Sequence, residues 1–256
     1  MAELEKIDRY PFCVEPFHVD FRGRIFLGIL GNHLLNAAGN HSQRRGWGIG
    51  ALNETRHTWV LSRLSIELDE MPRQYERGFV ETWVEGVIRL FTHRNFAILR
   101  EDGTPYGYAR STWAMIDTDT RRPCDLLTLY DGDILRYVVS EEENHCPIAG
   151  HGRFRFRDAA LVHTLDTHYS DVDINGHINS IKYIEHILDL FPISRFRDQR
   201  IRRFEIAYKA ESYPGDRLLF YMQPADENEV DVEVRKISAE GGEQEDVVCQ
   251  AKVCFE

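Results

Sequence analysis

An alternation of apolar and polar residues towards the C-terminus constrains the fold most. Valines alternate with charged residues over residues 230–235, and after a glycine turn at 240–242 every second residue of 247–255 is apolar. A period of two sends successive side chains to opposite faces of a strand, so these segments are predicted to form an antiparallel hairpin. Two more strands, at 203–209 and 218–222, complete a predicted meander of four strands.

One order of elements occurs twice in the chain. A strand at 159–165 and an amphipathic helix at 179–190 precede the meander. The first half repeats this order, with a helix at 25–38 and strands at 17–20, 59–68, 79–90, 95–100 and 106–116. Because one apolar sheet face can cover one apolar helix, the order predicts an α+β protein of two similar domains, each an antiparallel sheet wrapped around a helix.

The domain boundary is predicted near residue 150, giving domains 1–150 and 151–256. Residues 121–152 combine an Arg-Arg-Pro break with an acidic run, which is typical of a linker, and some helix is expected near 126–135. The first domain therefore includes this linker.

Composition narrows the classes of function. The net charge of −11 argues against non-specific binding of nucleic acid, which requires a cationic surface. Five cysteines without a CxxC pair suit a reducing compartment, with Cys249 expected to be a core side chain. The start of the chain lacks a targeting pattern and no apolar run reaches the roughly 18 residues of a membrane span. A cytoplasmic protein without a membrane span is therefore expected.

Residues 168–183 concentrate chemically capable side chains at the start of the second helix. Asp173, Asn175 and His177 lie where the positive end of a helix and exposed N–H groups can stabilise a developing oxyanion. These residue types favour acyl chemistry. They are equally compatible with turn and N-cap roles, with His177 packed on the surface, and the residues alone leave both interpretations open.

The run Asp173-x-Asn175-x-His177-x-Asn179 resembles the signature of the acyl-acyl carrier protein thioesterases, which are double hot-dog enzymes. The resemblance extends over nearly the whole chain. Its other matching residues are Lys182, Tyr183, Asp189, the Tyr208-x-x-Glu211-Ser212 element, Met71-Pro72, Glu81-Thr82-Trp83 and Thr92-x-Arg94-Asn95-Phe96.

This resemblance implies a tandem hot-dog fold and the hydrolysis of fatty acyl-acyl carrier protein thioesters, without a cofactor or metal. Its catalytic group would be Asp173, Asn175, His177 and Glu211. Glu211 with His177 would activate water or transfer a proton, Asn175 would position the reacting groups, and Asp173 would orient a neighbour or attack directly. The first domain would bind the acyl chain and the second would carry the catalysis.

Several alternatives remain open at this stage. Plant members carry cysteine where this chain has Ser212, which excludes a cysteine nucleophile there and leaves a strand-end serine as the preferred interpretation. A coenzyme A thioesterase and a non-catalytic acyl-binding protein are the competing functions, and a homodimer is considered. His168, His177 and His186 lack the compact spacing of a zinc motif.

Two further segments are candidates for contact with ligands. The basic stretch 195–209 could attract an acidic acyl carrier protein, although a solvated loop and edge strand would have the same composition. The glycine-rich residues 46–50 are expected to form a mobile turn at the mouth of a groove.

Overall fold

The structure is a computed structural model that describes residues 4–242 and 244–256. The first three residues of the segment inspected for a targeting signal lie outside the described residues. The chain forms two compact units, Met1–Gly150 and His151–Glu256. Among the described residues, no helix combines the length and apolarity that crossing a membrane would require.

The first unit is an antiparallel sheet with one long helix. Its strands follow the order β1-β3-β4-β5-β2. The elements along the chain are β1 (Asp8–Cys13), α1 (Leu27–Arg44), α2 (Ile49–Glu54), β2 (His57–Leu68), β3 (Arg77–Ile88), β4 (Phe91–Arg100) and β5 (Pro105–Asp117).

The predicted strand at 17–20 is wrong. Pro16–His18 form a turn of 3-10 helix, and Val19 makes only an isolated bridge to Ile25. The first strand is β1, which pairs with β3. The glycine-rich segment 46–50 also differs from the expected turn, because its last two residues begin α2.

Helix α1 packs against the sheet along one side. Its buried residues recur three or four positions apart, as one face of a helix requires, and include Leu27, Leu30, Leu34, Ala38 and His41. The helix ends at Arg44, six residues beyond the predicted end at 38. Phe12 of β1 packs against His33 of the helix, with 5.5 Å between the ring centroids.

Part of the other face of this sheet, around β3 and β4, is covered by residues 138–148, here called the strap. Trp83 of β3 is fully buried, and His145 of the strap stacks on its ring at 4.2 Å between centroids. The side-chain oxygen of Asn144 accepts hydrogen bonds from the Trp83 indole and from Asn95, both 3.0 Å long. Upstream of the strap, Ile134 joins a core cluster with tryptophan and methionine side chains. The segment with linker composition is thus packed into the first unit. Its 3-10 helix at Leu129–Tyr137 is interrupted by a kink at residues 130–132, which have positive φ.

The second unit repeats the architecture with the strand order β7-β10-β9-β8-β6. Helix α3 buries Ile181, Tyr183, Ile184 and Ile187, and the Tyr183 ring contacts that of Tyr208. The predicted helix and the four predicted strands are confirmed, but the predicted four-stranded meander is wrong, because the first of these strands, β7, pairs with the last, β10, and not with β8. The bounds are β6 (Ala160–Asp166), α3 (Ser180–Leu188), α4 (Ile193–Asp198), β7 (Ile201–Tyr208), β8 (Arg217–Pro224), β9 (Glu229–Ile237) and β10 (Glu245–Phe255).

Candidate active site

The loop before α3 is held by the carboxylate of Asp173. Its Oδ1 accepts the backbone N–H groups of Asn175 at 2.8 Å and His177 at 3.4 Å, while Oδ2 accepts the Asn175 amide at 3.4 Å. Gly176 completes the turn with φ of +78°, a conformation that a side chain disfavours. Asn179 caps α3 by accepting the Ile181 N–H at 2.8 Å. The carboxylate of Asp173 therefore orders two of the other predicted catalytic residues, Asn175 and His177.

The fourth predicted residue, Glu211, comes from the segment that follows β7. Its Oε1 lies 3.3 Å from Nδ1 of His177. Both side chains are partly exposed, so the pair is accessible to a substrate and to water. The structure thus brings together all four residues that the resemblance singled out, although they are separated by up to 38 positions in the sequence.

Ser212 points away from this pair. Its side chain is fully buried, and its hydroxyl interacts with that of Tyr183. The nearby Tyr183 hydroxyl is buried too, and burial raises the pKa of Tyr183. Without a base beside it, the serine hydroxyl is not activated as a nucleophile. Its backbone oxygen accepts the N–H of Ile178 at 2.9 Å, which ties the loop to this segment.

Sequence reasoning missed two residues beside the pair. The Tyr213 hydroxyl donates to Oε2 of Glu211 at 3.3 Å, and the Lys236 ammonium donates to the Glu211 backbone oxygen at 2.8 Å. Lys236 lies on β9, 25 positions after Glu211 in the sequence, so no local pattern marks it.

A second histidine lies behind the loop. Nε2 of His186, on α3, is 2.9 Å from Oδ1 of the buried Asp171, whose Oδ2 accepts the N–H of His168. The three histidines of the sequence analysis therefore do not converge. No group of three or more His, Cys, Asp or Glu side chains in the described part of the chain could hold a metal ion.

The first unit contains a cavity of about 430 Å³ between α1, α2 and the sheet. Apolar side chains form much of its wall. They are Leu35, Ala38, Trp47, Ile49, Trp59, Val84, Trp113, Ile134 and Tyr137.

A buried cationic group also lines this cavity. Arg94 donates to the Thr82 hydroxyl at 3.0 Å and to Nδ1 of His41 at 3.3 Å. Burial, with the charge of Arg94, lowers the pKa of His41 to about 3, so the imidazole is neutral and can accept this bond. Burial and the nearby Arg45 lower the pKa of Arg94 to about 10, which leaves it protonated at neutral pH.

The basic stretch 195–209 is partly neutralised. Arg200 lies 2.8 Å from Glu256, and Arg203 lies 2.7 Å from Glu205. Arg195 places its guanidinium 4.5 Å from the centre of the Phe255 ring. The stretch therefore carries less uncompensated positive charge than its composition suggests.

All five cysteines are free, and Cys249 is buried as expected. Burial raises the pKa of the Cys249 thiol, and that of Cys254 to about 12. Neither thiol is a candidate nucleophile at neutral pH.

Known proteins share the two-unit architecture of this chain. Family models described as the acyl-ACP thioesterase N-terminal domain and C-terminal domain match residues 7–130 and 156–256. A crystal structure of an acyl-ACP thioesterase from Bacteroides thetaiotaomicron is 56% identical, covers 98% of both chains and superposes with a TM-score of 0.89. The 12:0-ACP thioesterase from Umbellularia californica is 18% identical with a TM-score of 0.82, and covers 100% of this chain and 99% of that one.

Fold and family follow from these likenesses. The protein is a double hot-dog of the α+β class, as the resemblance implied. The chain belongs to the acyl-ACP thioesterase family.

Curated relatives are more distant. The chloroplastic palmitoyl-acyl carrier protein thioesterase of Arabidopsis thaliana is 24% identical over 216 residues, which are 79% of this chain and 52% of that protein. The dodecanoyl-[acyl-carrier-protein] hydrolase of Cinnamomum camphora is 29% identical over 70% of this chain and 50% of that protein. The chain spans about half the length of these curated relatives.

Proposed function

We propose that this chain hydrolyses the thioester between a fatty acyl group and acyl carrier protein, releasing free fatty acid and holo-acyl carrier protein. Membership of the family supports this function. The observation that carries it is the 3.3 Å contact between Nδ1 of His177 and Oε1 of Glu211, beside the loop ordered by Asp173. A histidine and a carboxylate in contact on an accessible surface can move a proton at neutral pH.

In the proposed mechanism the pair activates a water molecule. Glu211 orients the His177 ring through Nδ1–H, so Nε2 is the nitrogen that accepts a proton from water. The water oxygen bonds to the thioester carbon, and collapse of the tetrahedral intermediate breaks the C–S bond. The proton held by His177 then passes to the departing pantetheine sulfur, which gives a carboxylic acid and a free thiol.

Asp173 and Asn175 have supporting roles in this proposal. Both carboxylate oxygens of Asp173 accept hydrogen bonds from its own loop, which favours orientation over direct attack. The Asn175 side chain is exposed and is held by Asp173, so its amide can position the thioester carbonyl.

A hydrolysis assay over acyl carrier protein and coenzyme A esters of increasing chain length tests the function. Acyl carrier protein esters are expected to be cleaved with the higher kcat/KM, and Glu211→Gln is expected to abolish most of that cleavage. Preference for coenzyme A esters would support the alternative carrier. Binding of acyl groups without cleavage of any ester would identify a non-catalytic acyl-binding protein and contradict the proposal.

We further propose that the cavity of the first unit holds the acyl chain, and that the second unit carries the chemistry. Apolar walls favour an alkyl chain. Ala38→Leu should narrow the cavity and shift preference towards shorter chains, whereas Ile134→Ala should widen it and shift preference towards longer ones. Unchanged chain-length profiles in both variants would remove the cavity from substrate binding.

Docking of acyl carrier protein is proposed at residues 195–209. The side chain of Arg197 on α4 is exposed, so its charge can be reversed without disturbing the core. Arg197→Glu should raise KM for an acyl carrier protein ester at low salt and leave KM for the coenzyme A ester unchanged. Equal KM changes for both esters would exclude a carrier-specific surface.

A cytoplasmic location is also proposed, on the basis of the five free cysteines. Cell fractionation with an antibody against the chain would test it. The homodimer and the absence of nucleic-acid binding stay predictions, which light scattering and a DNA mobility assay would check.

A further inference from the structure

Tyr213 contacts both members of the proposed catalytic pair. Its hydroxyl donates to Oε2 of Glu211 at 3.3 Å. Its ring meets the His177 ring edge-on, with centroids 5.0 Å apart and planes at 80°. The side chain is 45% exposed, so these contacts are not a by-product of core packing.

The backbone of Tyr213 is fixed by a turn. Its N–H donates to the carboxylate of Asp216 at 2.9 Å, and its oxygen accepts the Thr167 hydroxyl at 3.2 Å. The Thr167 hydroxyl also accepts the Gly215 N–H at 2.9 Å. Asp216 and Thr167 are both buried. Hydrogen bonds to buried groups therefore fix the backbone at Tyr213, and with it the orientation of the tyrosine side chain.

Lys236 secures the same segment from the neighbouring strand. Its ammonium donates to the Glu211 backbone oxygen at 2.8 Å and lies 3.3 Å from the Asp216 carboxylate. It also lies 5.2 Å from the centre of the Tyr213 ring. The tyrosine ring thus contacts the lysine cation as well as the His177 imidazole.

We propose that Tyr213 is a positioning residue that holds Glu211 in the orientation that serves His177. This inference rests on the proposed hydrolysis. A glutamate side chain has three rotatable bonds, and the Glu211 side chain is partly exposed. The hydrogen bond at Oε2 restricts those rotations and leaves Oε1 facing Nδ1. The ring contact limits the rotation of the imidazole at the same time.

Paired substitutions separate the hydroxyl from the ring. Tyr213→Phe removes only the hydrogen bond and is expected to lower kcat about tenfold, the usual scale for one bond to a charged group, with KM within about twofold. Tyr213→Ala removes both contacts and should lower kcat further. Tyr75→Phe, at an exposed tyrosine of the first unit, is the matched control and should leave kcat and KM unchanged.

A double substitution tests whether the Tyr213 hydroxyl affects kcat through Glu211. If Tyr213 acts through the carboxylate of Glu211, Tyr213→Phe should cost little further activity in a Glu211→Gln background. A full loss in both backgrounds would show that the hydroxyl acts elsewhere. A kcat for Tyr213→Phe within about twofold of the parent would overturn the proposal.

A spectroscopic measurement distinguishes this proposal from the function on which it rests. The ring protons of His177, assigned by comparison with His177→Gln, should show a ring-current shift that Tyr213→Leu abolishes and Tyr213→Phe keeps. A parent protein that cleaves no acyl ester but shows this shift would contradict the proposed function while leaving the contact in place. Absence of the shift would overturn the positioning geometry itself.

Discussion

The two units contain the same loop before their long helices, and they use it differently. Asp20 in the first unit and Asp173 in the second each accept the backbone N–H groups of the residues two and four positions later. Gly23 and Gly176 occupy the same place in the loop, with φ of +70° and +78°. The backbone frame of the candidate active site is therefore present twice.

The side chain at the fourth position after the aspartate differs between the loops. In the first unit it is Arg24, which donates to Asp20 at 3.0 and 2.8 Å and neutralises that carboxylate. In the second unit it is His177, which faces Glu211.

The segment packed beside each loop differs as well. Pro72 in the first unit and Ser212 in the second accept an N–H from the residue that follows this fourth position. The residues before these acceptors are Met71 and Glu211. The second loop thus has the Glu211 carboxylate where the first has the Met71 thioether, and it has His177 where the first has Arg24. These two side-chain differences, and not the backbone, distinguish the proposed catalytic loop from its counterpart.

The largest expected effect comes from the fourth position itself. His177→Ala should lower kcat by about 10²- to 10⁴-fold, because the proton acceptor is lost. Arg24→Ala should change kcat by less than about threefold, since its ion pair only stabilises a loop of the first unit. Kinetics with a thermal melt as the folding control would check the pair. Near-normal turnover in folded His177→Ala would break the distinction between the loops.

Substitution of the loop aspartates, Asp173 and Asp20, should give the second largest difference in kcat between the two loops. Asp173→Asn should lower kcat by about 10- to 100-fold, since it weakens the bonds that order Asn175 and His177. Asp20→Asn should leave kcat unchanged and reduce the free energy of unfolding by about 1–3 kcal/mol, because Arg24 loses its partly buried partner. Denaturant titration and steady-state kinetics on both variants would measure this. Equal losses of kcat would show that the first loop also serves the reaction.

Alanine substitutions of the two loop glycines should lower kcat less than the aspartate substitutions do. An added Cβ would meet no atom within 4 Å at either Gly23 or Gly176, so the cost of alanine comes from φ alone. That cost is about 1 kcal/mol in each unit. Only Gly176→Ala should also lower kcat, by a few-fold. The melting temperature of Gly23→Ala would be measured with its kcat. A fall in kcat for this variant would show that the first loop also affects the reaction.

The smallest effect is expected at Ser212. Ser212→Ala removes a buried hydroxyl that interacts with the Tyr183 hydroxyl, so the free energy of unfolding should fall by about 1 kcal/mol or less. Turnover should stay within about twofold, since the contact to the loop uses the backbone oxygen. A complete loss of kcat, with an unchanged circular dichroism spectrum, would identify the serine as the nucleophile.

Much of the fold was predictable because long strands leave a periodic pattern. The predicted strand at 59–68 lies within β2, and the helix at 179–190 encloses α3. The strand at 17–20 was mistaken because Phe17 is 95% exposed and its apolar character reflects no core position. The end of α1 was misplaced because buried contacts of His41 carry the helix past Gly39 and Asn40, whose propensities favour an end.

The candidate site was predictable only where a motif is continuous in sequence. Asp173, Asn175 and His177 lie in one loop, and Glu211 was found by resemblance. Tyr213 was missed because it lies outside the motif, two residues after Glu211. Lys236 was missed because it lies 25 positions from Glu211 and reaches it only in the folded chain. Tertiary contacts of this kind leave no local signal.

The strap has a consequence for any attempt to isolate the first unit. The matched N-terminal family domain ends at residue 130, before the strap begins. A protein cut there would lose His145 and Asn144 from the indole of Trp83 and uncover a tryptophan that is fully buried. Such a fragment would expose an aromatic surface that favours aggregation, whereas a fragment ending at residue 150 would keep Trp83 covered. The red shift of tryptophan emission would then report the loss of the strap.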